Sequence, residues 1–233
     1  MRAPSVRRIV PGVLLLALIL ISCAEPQYRY VRNTQAKTAF RVPSFWTVFD
    51  ENDLSGPDSA TDTPDGVDWL VGIDADPAPQ LGHIFPNSYA TDHPQGVAAV
   101  LTLTGRARDE ASLADLRNLL IPVDQIQDEV GSEAVRLLVY DDRLMRDGYR
   151  GMHMVVQVKA SALAGGPAAA AGTEGGGEEP GFLADQYVQL NQISYLDDTT
   201  DHAYVLALLC DADCYSRNKT DIESAIDSWT VLP

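Results

Sequence analysis

The segment Ala203 to Cys210, Ala-Tyr-Val-Leu-Ala-Leu-Leu-Cys, is apolar at odd and even positions alike. Side chains alternate between the two faces of an extended chain, so a strand of this kind lies centrally in a sheet covered on both sides. Other segments alternate more simply. Val67, Trp69, Val71 and Ile73 form one apolar face, and Met152, Met154, Val156 and Val158 form another, opposite Gly151, His153, Val155 and Gln157. Phe40 and Val42, separated by Pro43-Ser44 from residues 45–49, read as a strand pair or a bent strand. Further strands are expected at 97–104, at 135–140 before a turn reaching Gly148, and from about 182 to 195. In that last segment Val188 and Leu190 differ in parity from Ile193 and Tyr195, so a bulge near Asn191-Gln192 is expected to restore one buried face.

Two segments carry helical spacing. Leu113, Leu116 and Leu120 share a face behind a Ser112/Asp115 capping box, with Pro122 as the stop. Ile222, Ala225, Ile226 and Trp229 share another, behind a Thr220/Glu223 box. About eight strands in short succession with two helices predict an α+β fold: a mainly antiparallel sheet with an internal and a C-terminal helix packed on it. A pure β-sandwich would leave the C-terminal amphipathic helix unexplained. Residues 50–65, 74–96 and 160–181 read as loops, the last an Ala/Gly/Glu/Pro segment too poor in apolar groups to offset its ordering entropy.

The beginning of the chain predicts its destination. Arg2, Arg7 and Arg8 precede an unbroken apolar run, Val13 to Ile21, too short to span a bilayer, and the run ends in Leu20-Ile21-Ser22-Cys23. These four residues resemble the lipobox of bacterial lipoproteins. The resemblance implies a signal peptide over 1–22, acylation of the Cys23 sulfur, cleavage before it and attachment to the outer face of the plasma membrane. Residues 23–37 are then the lipidated cysteine and a tether, and 38–233 a single domain. Cleavage removes three positive charges and no acidic one, taking the net charge from −16 to −19. Such a polyanion excludes nucleic acid as a partner and is expected to stand off anionic headgroups. In the oxidising compartment beyond the membrane, Cys210 and Cys214 are left as an even pair, and a disulfide between them is expected.

The start Phe40-x-Val42-Pro43-x-x-Trp46-x-Val48, a strand with a central Gly151, and a closing strand, cysteine turn and helix ending in Ser228-Trp229 together resemble the PsbP-like α/β/α sandwich. Within it the pattern is most similar to actinobacterial LpqN/LpqT-type lipoproteins. The resemblance covers about residues 36–232 and implies a non-enzymatic binding or accessory domain that contacts other proteins or envelope components. The family pattern has no insertion like 160–181. The matching positions are structural, so no catalytic residue is carried over.

No Gly-x-Ser-x-Gly elbow, His-Glu-x-x-His pair, phosphate-binding loop or dinucleotide fingerprint is present, and no catalytic residue or cofactor is expected. His83 and His93, in a loop with Asp74, Asp76 and Asp92, are weak candidates for a metal or for a dispersed hydrolase site, and a Cys/Asp metal or redox site at Cys210 and Cys214 ranks below the disulfide because it lacks the C-x-x-C spacing and any nearby histidine except His202. The acidic run from Asp50 to Asp68 lacks the ligand offsets of an EF-hand and reads as a solvated loop. Trp46, Trp69 and Trp229 fit core faces, and His153 the polar face of its strand.

Overall fold

The computed structural model describes residues 26–54, 66–84, 92–144, 149–164 and 186–232. The expected signal peptide, Cys23 and most of the 160–181 segment lie outside these residues. In chain order the strands are β1 (Tyr28–Asn33), β2 (Thr38–Pro43), β3 (Thr47–Phe49), β4 (Val67–Asp74), β5 (Gln95–Thr102), β6 (Val135–Leu144), β7 (Arg150–Lys159), β8 (Tyr187–Leu196), β9 (His202–Asp211) and β10 (Thr230–Val231). The helices are α1 (Glu51–Leu54), α2 (Gly105–Asp109), α3 (Leu113–Arg117), α4 (Val123–Val130), α5 (Ala160–Ala164) and α6 (Ala212–Asp227).

Seven strands form one antiparallel sheet in the order β3-β4-β5-β9-β8-β7-β6, and β1-β2-β10 form a second, smaller one. The apolar strand β9 occupies the middle, as its two-sided pattern requires. Tyr204, Leu206, Leu208 and Cys210 face a core closed by β2 and α6, with Phe40, Val42, Trp69, Ile222, Ile226 and Trp229. Ala203, Val205, Ala207 and Leu209 face a second core closed by α3, α4 and α5, with Leu116, Ile126, Met152, Met154 and Leu163. The protein is therefore α+β, a mainly antiparallel sheet with helices packed on it.

Several local expectations are corrected. Residues 28–33, read as tether, form a strand paired along its whole length with β2, from Tyr28 opposite Pro43 to Asn33 opposite Thr38. Ordered structure thus begins well before residue 38. Ala160–Ala164 are helical, and Ala160, Ala162 and Leu163 are buried. Helix α3 has the predicted Ser112/Asp115 capping box but ends at Arg117. Pro122 then caps a further helix, α4, that was not anticipated. Asn118 joins the two: its carbonyl accepts from the Asp124 amide (3.0 Å) and its amide donates to the Asp124 carboxylate (2.8 Å).

No bulge interrupts β8, whose register is continuous with both neighbours. Its parity break comes from buried polar residues with dedicated partners. Asn191 donates to the Tyr215 hydroxyl (2.8 Å) and its carbonyl lies 2.9 Å from His153 Nε2. Gln192 donates to the Leu116 carbonyl (2.7 Å). The C-terminal helix also starts earlier than predicted, so Thr220 and Glu223 lie within it; its cap is Asp211, which accepts from the Cys214 amide at 2.7 Å. The expected disulfide is present, Cys210 to Cys214 with Cα atoms 5.9 Å apart, and ties the end of β9 to the first turn of α6.

Gly151 on β7 has no room for a side chain: an added Cβ would lie 2.2 Å from the Ser194 carbonyl oxygen and 2.3 Å from the Tyr195 ring, whereas at Gly82 nothing lies within 4 Å. Gly151→Ala is therefore expected to cost about 1–3 kcal/mol, and Gly82→Ala less than about 0.5 kcal/mol. Urea unfolding of both variants checks this, and equal midpoints would contradict the packing described for β7 and β8.

Candidate functional site

The two ends of the β4-β5-β9 strands carry different polar groups. At the end formed by Asp74 and Gln95 the weak candidates His83 and His93 do come together. His83 Nδ1 lies 3.0 Å from Asp74 and 4.0 Å from Asp76, and His93 Nδ1 lies 3.5 Å from Asp76 and 2.9 Å from Asp92. Asp74, almost wholly buried, also accepts from the backbone amides of Asp76 (2.9 Å) and Gln80 (3.0 Å), so it organises the loop that carries His83. Each imidazole faces a carboxylate directly. Among the described residues no three His, Cys, Asp or Glu side chains are grouped to hold a metal ion.

The opposite end opens into a cleft of about 580 Å³ beneath the turn joining β1 to β2. Its lining includes Lys37, Asp68, Tyr149, Asp197, His202 and Tyr204. Backbone geometry explains why they converge. Lys37 closes the β1–β2 turn with φ 51°, and Thr200 sits at φ 59° in the β8–β9 turn, both left-handed positions at tight reversals. Asn33 stabilises the first turn by accepting from the amides of Gln35 and Ala36, both at 2.9 Å. Asp197 stabilises the second by accepting from the Asp201 amide at 2.8 Å.

Asp197 does a second job with its other oxygen, which lies 2.8 Å from His202 Nδ1. The far ring nitrogen, Nε2, faces Asp68 at 3.8 Å. Asp68 in turn accepts a short hydrogen bond from the Thr102 hydroxyl. Tyr204 lies behind the imidazole, its ring centre 6.3 Å from that of His202 and 5.8 Å from Tyr149 in an edge-on contact. Burial, reinforced by Tyr149 and by the Asp197 and Asp68 charges, pushes the Tyr204 hydroxyl far above the ordinary tyrosine range.

The cleft is thus acidic, with Asp68, Asp197, Asp198 and Glu51 against the one cation Lys37 among its described lining residues, and it has an aromatic wall. That combination suits a ligand bearing positive charge or several hydrogen-bond donors. Neither serine nor cysteine is among the described lining residues. Sequence reasoning left His202 aside because its partners Asp197 and Asp68 come from a tight turn and a distant strand. Of the other polar candidates, His153 lies half-buried against Asn191, on the face of β7 opposite Met152 and Met154.

No protein family and no curated protein matches the chain. Solved structures similar to it include cyanobacterial PsbP from Synechocystis sp. PCC 6803, at 12% identity over 91% of this chain and 96% of that one, TM-score 0.46. The Saccharomyces cerevisiae Ran-binding protein Mog1p is similar at 10% identity, covering 89% and 97%, TM-score 0.43. A Pseudomonas aeruginosa protein of unknown function follows at 11% identity, covering 89% and 98%, TM-score 0.36. At such identities side chains are not shared position by position, so function has to be read from this chain's own residues.

The Tyr204 environment carries a pH signature. A hydroxyl whose folded value stands above the unfolded value near 10 contributes stability that is complete below about pH 10 and is lost as pH rises through the folded value. The wild type is therefore expected to lose stability steeply above about pH 10, and Tyr204→Phe to show a shallower loss. Denaturation midpoints across that range decide it; parallel curves would mean that Tyr204 ionises freely in the fold.

Proposed function

We propose that this chain is a lipid-anchored extracytoplasmic accessory protein of the bacterial envelope, akin to the LpqN/LpqT-type lipoproteins, that binds rather than transforms a ligand or partner at the His202 cleft. The observation that carries the reading is the placement of His202 between Asp197 and Asp68. Asp197 fixes the imidazole through Nδ1 while Asp68 stands 3.8 Å from Nε2, and the carboxylates so held present a fixed acidic surface to a cationic or hydrogen-bond-donating partner. The signal and lipobox supply the location, and Cys23 the attachment.

The tests separate location from binding. Cys23→Ser is expected to move the protein out of the membrane fraction or leave the uncleaved precursor; unchanged fractionation would end the lipoprotein reading. Cross-linking on intact cells followed by pull-down is expected to capture a partner with the wild type and lose it with Asp68→Asn/Asp197→Asn. Identical capture would show that the cleft is not the contact.

A second reading, a cell-envelope hydrolase with a dispersed site, is favoured by one observation, the convergence of His83 and His93 on Asp74, Asp76 and Asp92. Replacing both histidines by asparagine separates the two. A folded variant with an unchanged envelope phenotype removes the hydrolase, and loss of phenotype with an intact His202 cleft would favour it.

A further inference from the structure

The negative charge of the chain is unevenly distributed. Between Pro26 and Phe49 the sequence contains Arg29, Arg32, Lys37 and Arg41 and no aspartate or glutamate, although the whole chain carries −16. The structure gathers much of this stretch on one surface. Pairing of β1 with β2 sets Tyr30 opposite Arg41 and Arg32 opposite Ala39, on the face away from the core that Val31 and Phe40 join. The Arg41 guanidinium stacks over the Tyr28 ring at 4.4 Å. Arg29 and Arg32 are exposed.

Large apolar side chains accompany these charges. Tyr30 is 75% exposed and Phe45 is 70% exposed, the two most exposed large hydrophobic side chains among the described residues. Phe45 sits on the turn after β2, and the Ser44 amide donates to the Gln27 carbonyl at 3.0 Å. Phe45 therefore projects beside the point at which the chain runs into β1. Asp227, at the end of α6, lines a groove shared with Tyr30 and Arg41. At the same end of the sheet Asp76 and Asp92 both face His93.

We infer that this basic, aromatic surface along the edge strand β1, with Phe45 beside its start, Tyr30, Arg32 and Arg41 on its outer face and the exposed Arg29 on the other face of the same strand, docks on anionic phospholipid headgroups. The occupant follows from charge and from reach, and the second of these rests on the lipid-anchor reading. At no more than about 3.6 Å per residue, the chain from Cys23 to Tyr28 spans less than about 18 Å. An acylated Cys23 thus holds the start of β1 close to the bilayer, within about two screening lengths at physiological salt. Arginine clusters next to an anchor bind anionic leaflets, and exposed aromatic rings sit at the headgroup level. The expectation that an acidic body stands off the membrane treats its charge as uniform; the stretch nearest the anchor, residues 26–49, contains arginine and lysine and no carboxylate side chain.

The test uses the membrane-extracted protein with Ser44→Cys carrying an environment-sensitive fluorophore, mixed with phosphatidylcholine vesicles with or without phosphatidylglycerol. Flotation reads attachment, and the emission shift reads docking. Flotation on both vesicles is expected, with a blue shift only when phosphatidylglycerol is present. Arg29→Glu/Arg32→Glu should weaken that response at least about tenfold, while Arg106→Glu/Arg108→Glu, the same charge change on α2 at the opposite end, should leave it intact. Flotation on both vesicles without a lipid-dependent shift overturns the docking surface and leaves the anchor standing. Flotation and shift with phosphatidylglycerol alone support docking and remove the anchor. Flotation on neither removes both, and equal loss in the two double variants reduces the effect to net charge and overturns the patch.

Discussion

Two-sided burial of β9 is the constraint on which the other layers depend. Four side chains on one face and four on the other are almost completely removed from water, and each fully buried leucine or valine contributes about 1.5–3 kcal/mol relative to exposure. Neither set can be buried unless both α6 with β2 and the α3–α5 group are in place. Such a sheet also tolerates little bulk beside its central strand. Gly96 on β5 would bring a Cβ within 2.0 Å of the Ala207 carbonyl oxygen, so the β5–β9 pairing depends on that glycine. The C-terminal helix is set by the same strand, since the Asp211 cap and the Cys210–Cys214 bridge both sit at its end. The chain then closes through Thr230 pairing with Ala39.

Buried polar groups fasten the layers to one another. Asn191 reaches from β8 into α6 through Tyr215, while Gln192, its neighbour on the opposite face, reaches the last turn of α3 through the Leu116 carbonyl. A buried amide left without partners costs about 1–3 kcal/mol, so both contacts select one docking of each helix layer over others with similar apolar contact. These residues also made the strand look irregular from sequence, because alternation counts only apolar side chains and cannot distinguish a bulge from a buried amide that bonds a neighbouring layer.

The same distinction governs what was legible in the sequence. The strands at 67–74, 150–159 and 203–211, the Ser112 cap, the disulfide and the α+β class are visible because each rests on a local repeat or an adjacent pair. The β1 strand was not, because Tyr28 to Asn33 mix arginine with tyrosine and pair only through one edge of β2. Helix α4 was hidden by a proline that stops one helix and begins the next. The His202 cleft was hidden for a different reason: its geometry depends on a left-handed turn residue, on Asp197 spending its oxygens on two separate tasks, and on Asp68 arriving from another strand. None of these has a sequence period. The His83–His93 cluster could be named because its members share a loop, although their mutual contacts could not be foreseen.

The fold also has a direction that its composition conceals. Residues 26–49 contain Arg29, Arg32, Lys37 and Arg41, no carboxylate side chain, and the exposed rings of Tyr30 and Phe45, and they lead directly from the segment that contains Cys23. The acidic groups Asp68, Asp197 and Asp198 collect at the far end of the central strands, around a cleft roofed by the β1–β2 turn. β1 and β2 run as two hydrogen-bonded strands from Tyr28 and Pro43 to the turn at Lys37, whose carbonyl also accepts from the Leu232 amide at 2.7 Å. A net charge of −16 averages these regions into a uniform repulsion that neither end experiences, since screening confines each to its own surroundings within about 10 Å. The relevant electrostatic quantity is therefore local: the arginines along β1 and β2 and the carboxylates around the cleft each act on their own surroundings.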